Sequence, residues 1–146
     1  MEMVRFSCAD INGIKLRERR KVKAFVKSIF EMEGKELKEI NYIFCSDLYL
    51  LEINRQYLQH DYLTDIITFD LSESNATVGE VYISSDRVSE NSNIHRTTYS
   101  QELLRVIFHG ALHLVGYKDK KKSEITVMIE KEDYYLRLFE KNKDDK

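Results

Sequence analysis

The sequence predicts an α+β fold in which a small mixed β-sheet is packed with helices. Three observations carry this expectation. Segments 3–8, 39–45, 65–71 and 78–84 are short and rich in β-branched and aromatic residues, as strands are. Longer segments at 15–33, 46–59, 99–115 and 123–141 repeat apolar residues at helical spacing. The two kinds interleave without the strict strand–helix–strand alternation of a wholly parallel sheet.

Taken in order, Met3 to Cys8 alternates Met3, Arg5 and Ser7 against Val4, Phe6 and Cys8, which suits a half-buried strand. Val22, Phe25, Val26, Ile29 and Phe30 then mark a helix from about Lys15 to Glu33, with Gly34 as a natural stop. Glu39 to Cys45 reads as a second strand. Ser46 or Asp47 caps a helix to about Gln59, with Leu50, Leu51, Asn54, Tyr57 and Leu58 on or near one face. Asp65 to Leu71 and Val78 to Ser84 form two strands around a polar turn, Ser72 to Thr77. A short helix from Asp86 to Asn93 and longer ones at Tyr99 to Val115 and about Ser123 to Lys141 complete the chain. No repeat or Gly/Ser linker divides residues 1–146, so a single domain is expected.

Composition narrows the class. A hydrophobic content of 42% with 33% charged residues is that of a globular protein, not a disordered one. Apolar runs fall far short of the ~20 residues that cross a bilayer, and the first residues lack the pattern of a signal peptide. A cytoplasmic protein with no membrane association is expected. Cys8 and Cys45 lie far apart without CxxC spacing and are expected to be reduced and mostly buried. A net charge of −2 neither predicts nor excludes nucleic-acid binding, because a local basic patch can hide in a balanced total.

The informative segment begins at Phe108. Residues four apart on a helix are rotated by about 40° and rise ~6 Å, so His109 and His113 project from one face and can share a metal ion. Gly116 and Asp119 follow at three-residue intervals, giving H-x-x-x-H-x-x-G-x-x-D. This resembles the metzincin spacing H-E-x-x-H-x-x-G-x-x-H, with Asp as the third ligand. The glycine can adopt the left-handed conformation that ends a helix and turns the chain back toward the metal. Three protein ligands plus water is the usual build of catalytic zinc, so Zn²⁺ is expected at His109, His113 and Asp119, with Mn²⁺ or Mg²⁺ as alternatives. The bland readings are hydrogen-bonded core histidines and a solvated Asp119 among lysines. Gly110 occupies the place of the metalloprotease glutamate, which argues against peptide hydrolysis. It also suggests room beside the metal for a larger substrate. Two His and one Asp leave a divalent metal about one positive charge, which suits a phosphodiester.

These residues resemble the signature of the YbeY endoribonucleases, also called rRNA maturation factors, approximately H-G-x-L-H-L-x-G-Y-D-H. It stands here as His109-Gly110-Ala111-Leu112-His113-Leu114-Val115-Gly116-Tyr117-Lys118-Asp119. A second block, from Asn54 through Tyr57, Asp61, Thr64 and Asp65 to Phe69, is similar to the family's N-x-x-Y-R-x-x-D-x-P-T-D-V-L-S-F. Gly79-Glu80-Val81 resembles its G-D-I. The family's third histidine is Asp119 here, its arginine after the tyrosine is Leu58, and its proline is Leu63. The resemblance implies a metal cleft beside a small sheet and single-strand-directed cleavage of RNA. It implies work on rRNA precursors and the small ribosomal subunit, in 16S rRNA 3′-end maturation and ribosome quality control. Arg55 and His60 are candidates to stand in for the missing arginine. The other reading is a non-catalytic ribosome-assembly factor with a structural metal; a peptide or amide metallohydrolase ranks third.

Lys118, Lys120, Lys121 and Lys122 adjoin the metal motif and are candidate phosphate contacts, against the ordinary reading of a solvated loop. Arg17, Arg19, Arg20, Lys21 and Lys23 read as the solvent face of the first helix. Met128 reads as core, not as a metzincin Met-turn. Tyr57, Tyr62 and Tyr117 are candidates for stacking on unpaired bases, though packing at a sheet edge is the commoner role.

Overall fold

The computed structural model describes residues 3–144. Within them the elements run β1 (Val4–Cys8), α1 (Arg19–Met32), β2 (Leu37–Cys45), α2 (Asp47–Leu58), β3 (Ile66–Asp70), β4 (Thr77–Ser84), α3 (Ser85–Ile94), α4 (Tyr99–Val115) and α5 (Lys122–Asp144). The strands form one sheet in the order β1-β2-β4-β3. β1, β2 and β4 are parallel, and β3 returns antiparallel to β4, so the sheet is mixed, as expected. The polar segment between β3 and β4 closes their hairpin, with Leu71 donating to the Val78 carbonyl at 2.7 Å.

Period-two alternation decides which strand residues enter the core. Ile40, Tyr42 and Phe44 of β2 and Val81 and Ile83 of β4 are almost fully buried, and the register sets Tyr42 against Val81 and Phe44 against Ile83. They pack with Val22, Phe25, Val26, Ile29 and Phe30 of α1 and the apolar residues of α4. Burying each such side chain contributes about 1.5–3 kcal/mol. A smaller cluster of Cys45, Leu50 and Ile67 carries α2. Ser46, Ser84 and Thr98 cap α2, α3 and α4, each accepting from the backbone N–H three residues on.

α1 starts at Arg19, four residues later than the sequence suggests. Ile14 and Leu16 pack on the core before the helix begins, and Glu18 adopts a left-handed conformation at φ 55°. The Arg19 guanidinium binds the Ile14 and Leu16 carbonyls, which a continuous helix would have used internally. In α2 only Leu50, which packs with Cys45 and Ile67, and Asn54, which binds the Tyr62 carbonyl, are buried, while Tyr57 and Leu58 are exposed. Met128 is core, as expected. Cys8 and Cys45 are free, and burial first, then the carboxylates of Asp10, Asp47 and Asp86, pushes the Cys45 thiol up to about 12. No helix among the described residues is long and apolar enough to cross a membrane.

α4 passes through the middle of the molecule with ten residues buried, from Glu102 to Leu114. Gly110 faces the sheet, not the metal motif. A Cβ there would lie 2.8 Å from Val81 Cγ1 and 3.2 Å from Ile66 Cδ1. The glycine therefore admits close helix–sheet packing, which corrects the expectation that it clears space for substrate. Val81 is β-branched, fully buried and held between two strands, so it cannot yield cheaply. Gly110→Val is expected to destabilise the fold by about 2–4 kcal/mol through overpacking. Urea unfolding checks this; an unchanged midpoint would mean that α4 can move off the sheet at little cost.

Candidate metal centre

α4 places His109 and His113 one turn apart, with ring centroids 4.5 Å from each other. The helix stops after Val115 because Gly116 takes φ 122°, where a side chain would be strained. Its N–H and that of Tyr117 both donate back to the Leu112 carbonyl. The chain reverses and brings Asp119 over the two rings, as the spacing predicts. Asp119 Oδ2 lies 3.2 Å from His109 Nε2 and 3.2 Å from His113 Nε2, and one ligand atom from each residue falls within 4.8 Å of the others.

The opposite ring nitrogens decide what these three atoms can do. His113 Nδ1 faces the Tyr117 carbonyl at 2.9 Å. A carbonyl only accepts, so Nδ1 carries a proton, and Nε2 is the atom left to face Asp119. His109 Nδ1 lies 2.5 Å from Glu132 Oε2, so it too carries a proton, and Nε2 is the atom left to face Asp119. Both Nε2 atoms then converge on the Asp119 carboxylate oxygen, where either protons or a divalent cation can bridge them. The donor set fits a divalent metal.

Behind the donors lies a supporting shell. Glu132 is buried and receives Arg105 Nη1 at 2.7 Å, while Arg105 Nη2 binds Asp133 at 2.6 Å. Burial depresses the basicity of His109, but Glu132, Asp119 and Asp65 together outweigh it and raise its pKa. The loop carrying Asp119 is tethered by Tyr117, whose hydroxyl donates to Glu33 at 2.7 Å. Lys131 at 3.0 Å and the Tyr135 hydroxyl converge on the same carboxylate. Burial opposes ionisation of Glu33, but donation from Tyr135, Tyr117 and Lys131 outweighs it and lowers its pKa.

The three donors open into a cleft of about 620 Å³ lined also by the end of α2, the loop to β3 and the edge strand β3. Leu58, His60, Tyr62, Asp65 and Lys120 are among its walls. Burial raises the Asp65 pKa, partly countered by His109. Of the four lysines singled out by the sequence, Lys120 lines the cleft, whereas Lys118, Lys121 and Lys122 are exposed residues outside its walls. Arg55 is not a lining residue either, and its Nε binds Asp61 at 2.5 Å on the exposed side. Tyr117 is tied to Glu33 and Tyr57 packs edge-on against Phe69, leaving Tyr62 as the cleft's candidate stacking tyrosine.

A family model described as Endoribonuclease YbeY matches residues 9–140. The chain belongs to the endoribonuclease YbeY family. The reaction class of the family is hydrolysis of RNA within the chain. Endoribonuclease YbeY of Cytophaga hutchinsonii is 48% identical over 124 residues, covering 84% of this chain and 87% of that protein. That of Flavobacterium psychrophilum is also 48% identical, covering 85% and 89%. The solution structure of TM1509 from Thermotoga maritima superposes with a TM-score of 0.65 at 28% identity, over 98% of this chain and 93% of that one.

Sequence reasoning missed Glu132, Arg105 and Glu33, which reach the centre from distant elements at spacings no local motif records. Asp65 had a signal, since it stands in the second block shared with the family, but its place in the cleft follows only from the fold.

Proposed function

We propose that residues 1–146 act as one domain that holds a zinc ion on His109, His113 and Asp119 and cleaves single-stranded RNA. The observation that carries this reading is the convergence of two imidazole Nε2 atoms and one carboxylate oxygen in an open cleft. His109 Nε2, His113 Nε2 and an Asp119 carboxylate oxygen would hold the ion, all within 4.8 Å of one another. Three protein donors are one fewer than a structural zinc normally has, as in catalytic sites. The bound metal supplies Lewis acidity toward a phosphate oxygen and toward water.

The protein's own groups do the rest. Glu132 and the Tyr117 carbonyl hold the two rings in the tautomer that presents Nε2. Lys120, the cation in the cleft wall among the described residues, attracts the phosphate backbone. Lys118, Lys121 and Lys122 extend that charge outside the cleft. Leu58 stands where the family has an arginine, and of the two candidates to replace it His60, not Arg55, lines the cleft. The substrate within this reading is the 3′ end of the 16S rRNA precursor on the small ribosomal subunit, with a part in ribosome quality control, in the cytoplasm.

The test is cleavage of a single-stranded oligoribonucleotide carrying the 16S 3′ junction, compared with its duplex, by purified wild type and Asp119→Ala. Cleavage of the single strand alone, lost in the variant, is the expected result. A metal-loaded wild type that binds the RNA and leaves it intact would favour the non-catalytic assembly factor.

A further inference from the structure

The loop between α2 and β3 has no regular structure, yet it is tied down along its length. Gln59 ends α2 at φ 56°, and the N–H groups of Gln59 and His60 both donate to the Asn54 carbonyl. Asn54, 1% exposed, sends its side-chain amide to the Tyr62 carbonyl at 2.9 Å. Arg55 grips Asp61 from outside. The product of this anchoring is a pair of stacked rings. His60 and Tyr62 lie with centroids 5.1 Å apart and planes at 20°, and Tyr62 Oη meets His60 Nδ1 at 3.0 Å.

This stack does not serve the core. Tyr62 is 56% exposed and His60 is exposed, and both line the cleft that holds His109, His113, Asp119 and Lys120. Rings that lean on each other in water leave outer faces free, and a nucleobase is the ligand whose flat face such a surface fits. Because the platform shares a cleft with the metal donors and Lys120, its occupant also has to present a phosphodiester.

We propose that the His60–Tyr62 stack is a subsite for one unpaired base of the RNA substrate, with Tyr62 as the contacting ring and His60 as its positioning residue. The inference rests on the ribonuclease reading above and deepens it. A base inside a duplex has both faces covered by its neighbours, whereas an unpaired base can swing out onto an aromatic ring. The platform therefore selects single strands by a face contact, independently of the metal donors. Leu58 adds an apolar side chain to the same wall.

The experiment is an abasic scan of a single-stranded oligoribonucleotide, one nucleotide at a time, against wild type, Tyr62→Ala and Tyr62→Phe. In wild type, one abasic position is expected to raise KM about 5- to 100-fold with little change in kcat. Tyr62→Ala is expected to raise KM by a similar factor on the intact strand and to make that abasic position neutral. Tyr62→Phe keeps the ring and is expected to stay within about threefold of wild type. Intact-strand KM unchanged in Tyr62→Ala, or an abasic penalty that persists in it, overturns the subsite while leaving the ribonuclease reading standing. Should wild type cleave no RNA, fluorescence of the same strands carrying 2-aminopurine decides the subsite separately. Quenching at one position that needs an aromatic residue at 62 upholds it, and quenching indifferent to Tyr62 overturns it.

Discussion

Replacing His113 by alanine is expected to remove about one equivalent of zinc from the purified, untagged chain and to lower RNA cleavage by about a thousandfold or more, since a catalytic metal contributes several kcal/mol of transition-state stabilisation. The loss follows from the way the three donors share one point. His113 Nε2 and His109 Nε2 each lie 3.2 Å from Asp119 Oδ2, so removing one leaves a two-donor fragment with a carboxylate. The fold should survive, because His113 is only partly buried and alanine favours a helix interior. Elemental analysis of wild type beside His109→Ala, His113→Ala and Asp119→Ala provides the check. Metal lost from all three establishes a three-ligand site. Metal retained in Asp119→Ala would reduce the carboxylate to a neighbour, and a wild type that takes up no zinc on reloading would remove the metal centre altogether.

Glu132→Gln is expected to weaken zinc binding about 10- to 100-fold without touching a ligand, the usual effect of losing an outer partner of a metal-binding histidine. Glu132 is 6% exposed and accepts from both His109 Nδ1 and Arg105. A glutamine there can turn its NH₂ toward Nδ1, which favours the tautomer that puts the proton on Nε2 and blinds the donor. It also removes the negative charge that, against the effect of burial, raises the basicity of His109. Asp133→Asn serves as the comparison. It alters the outer bond of the same Arg105 at a residue whose side chain is 42% exposed, and its effect on zinc should stay within about threefold. Competition with a chromophoric chelator measures both. Equal losses in the two variants would mean that Arg105, and not the carboxylate on His109, carries the effect.

The two predictions differ in how much of their basis lay in the sequence. His109, His113, Gly116 and Asp119 are legible because one helix and one glycine turn set their relations, and helical geometry converts a spacing of four directly into a shared face. The first strand was legible for a similar reason, since the alternation of Val4, Phe6 and Cys8 with Arg5 and Ser7 reflects which face is covered. Helix starts were less so. The helix expected from about Lys15 would include Leu16, but Leu16 packs with Ile14 as a lead-in segment, a choice made by the core and not by local propensity.

What the amino-acid sequence determined by itself is local: the elements, the paired histidines, the turn that returns Asp119, and two long blocks in register with a known family. What only the tertiary structure decided is which distant groups meet. Glu132 on α5 fixes the tautomer of His109, Glu33 at the end of α1 tethers the loop of Asp119, and Gly110 serves the sheet instead of the substrate. The burial that silences Cys45 and the stack of His60 on Tyr62 belong to the same class. The physical reason is range. Backbone hydrogen bonds and side-chain periodicity act over a few residues and leave a trace in spacing, whereas packing and electrostatics act through space and bring together residues whose separation along the chain carries no signal.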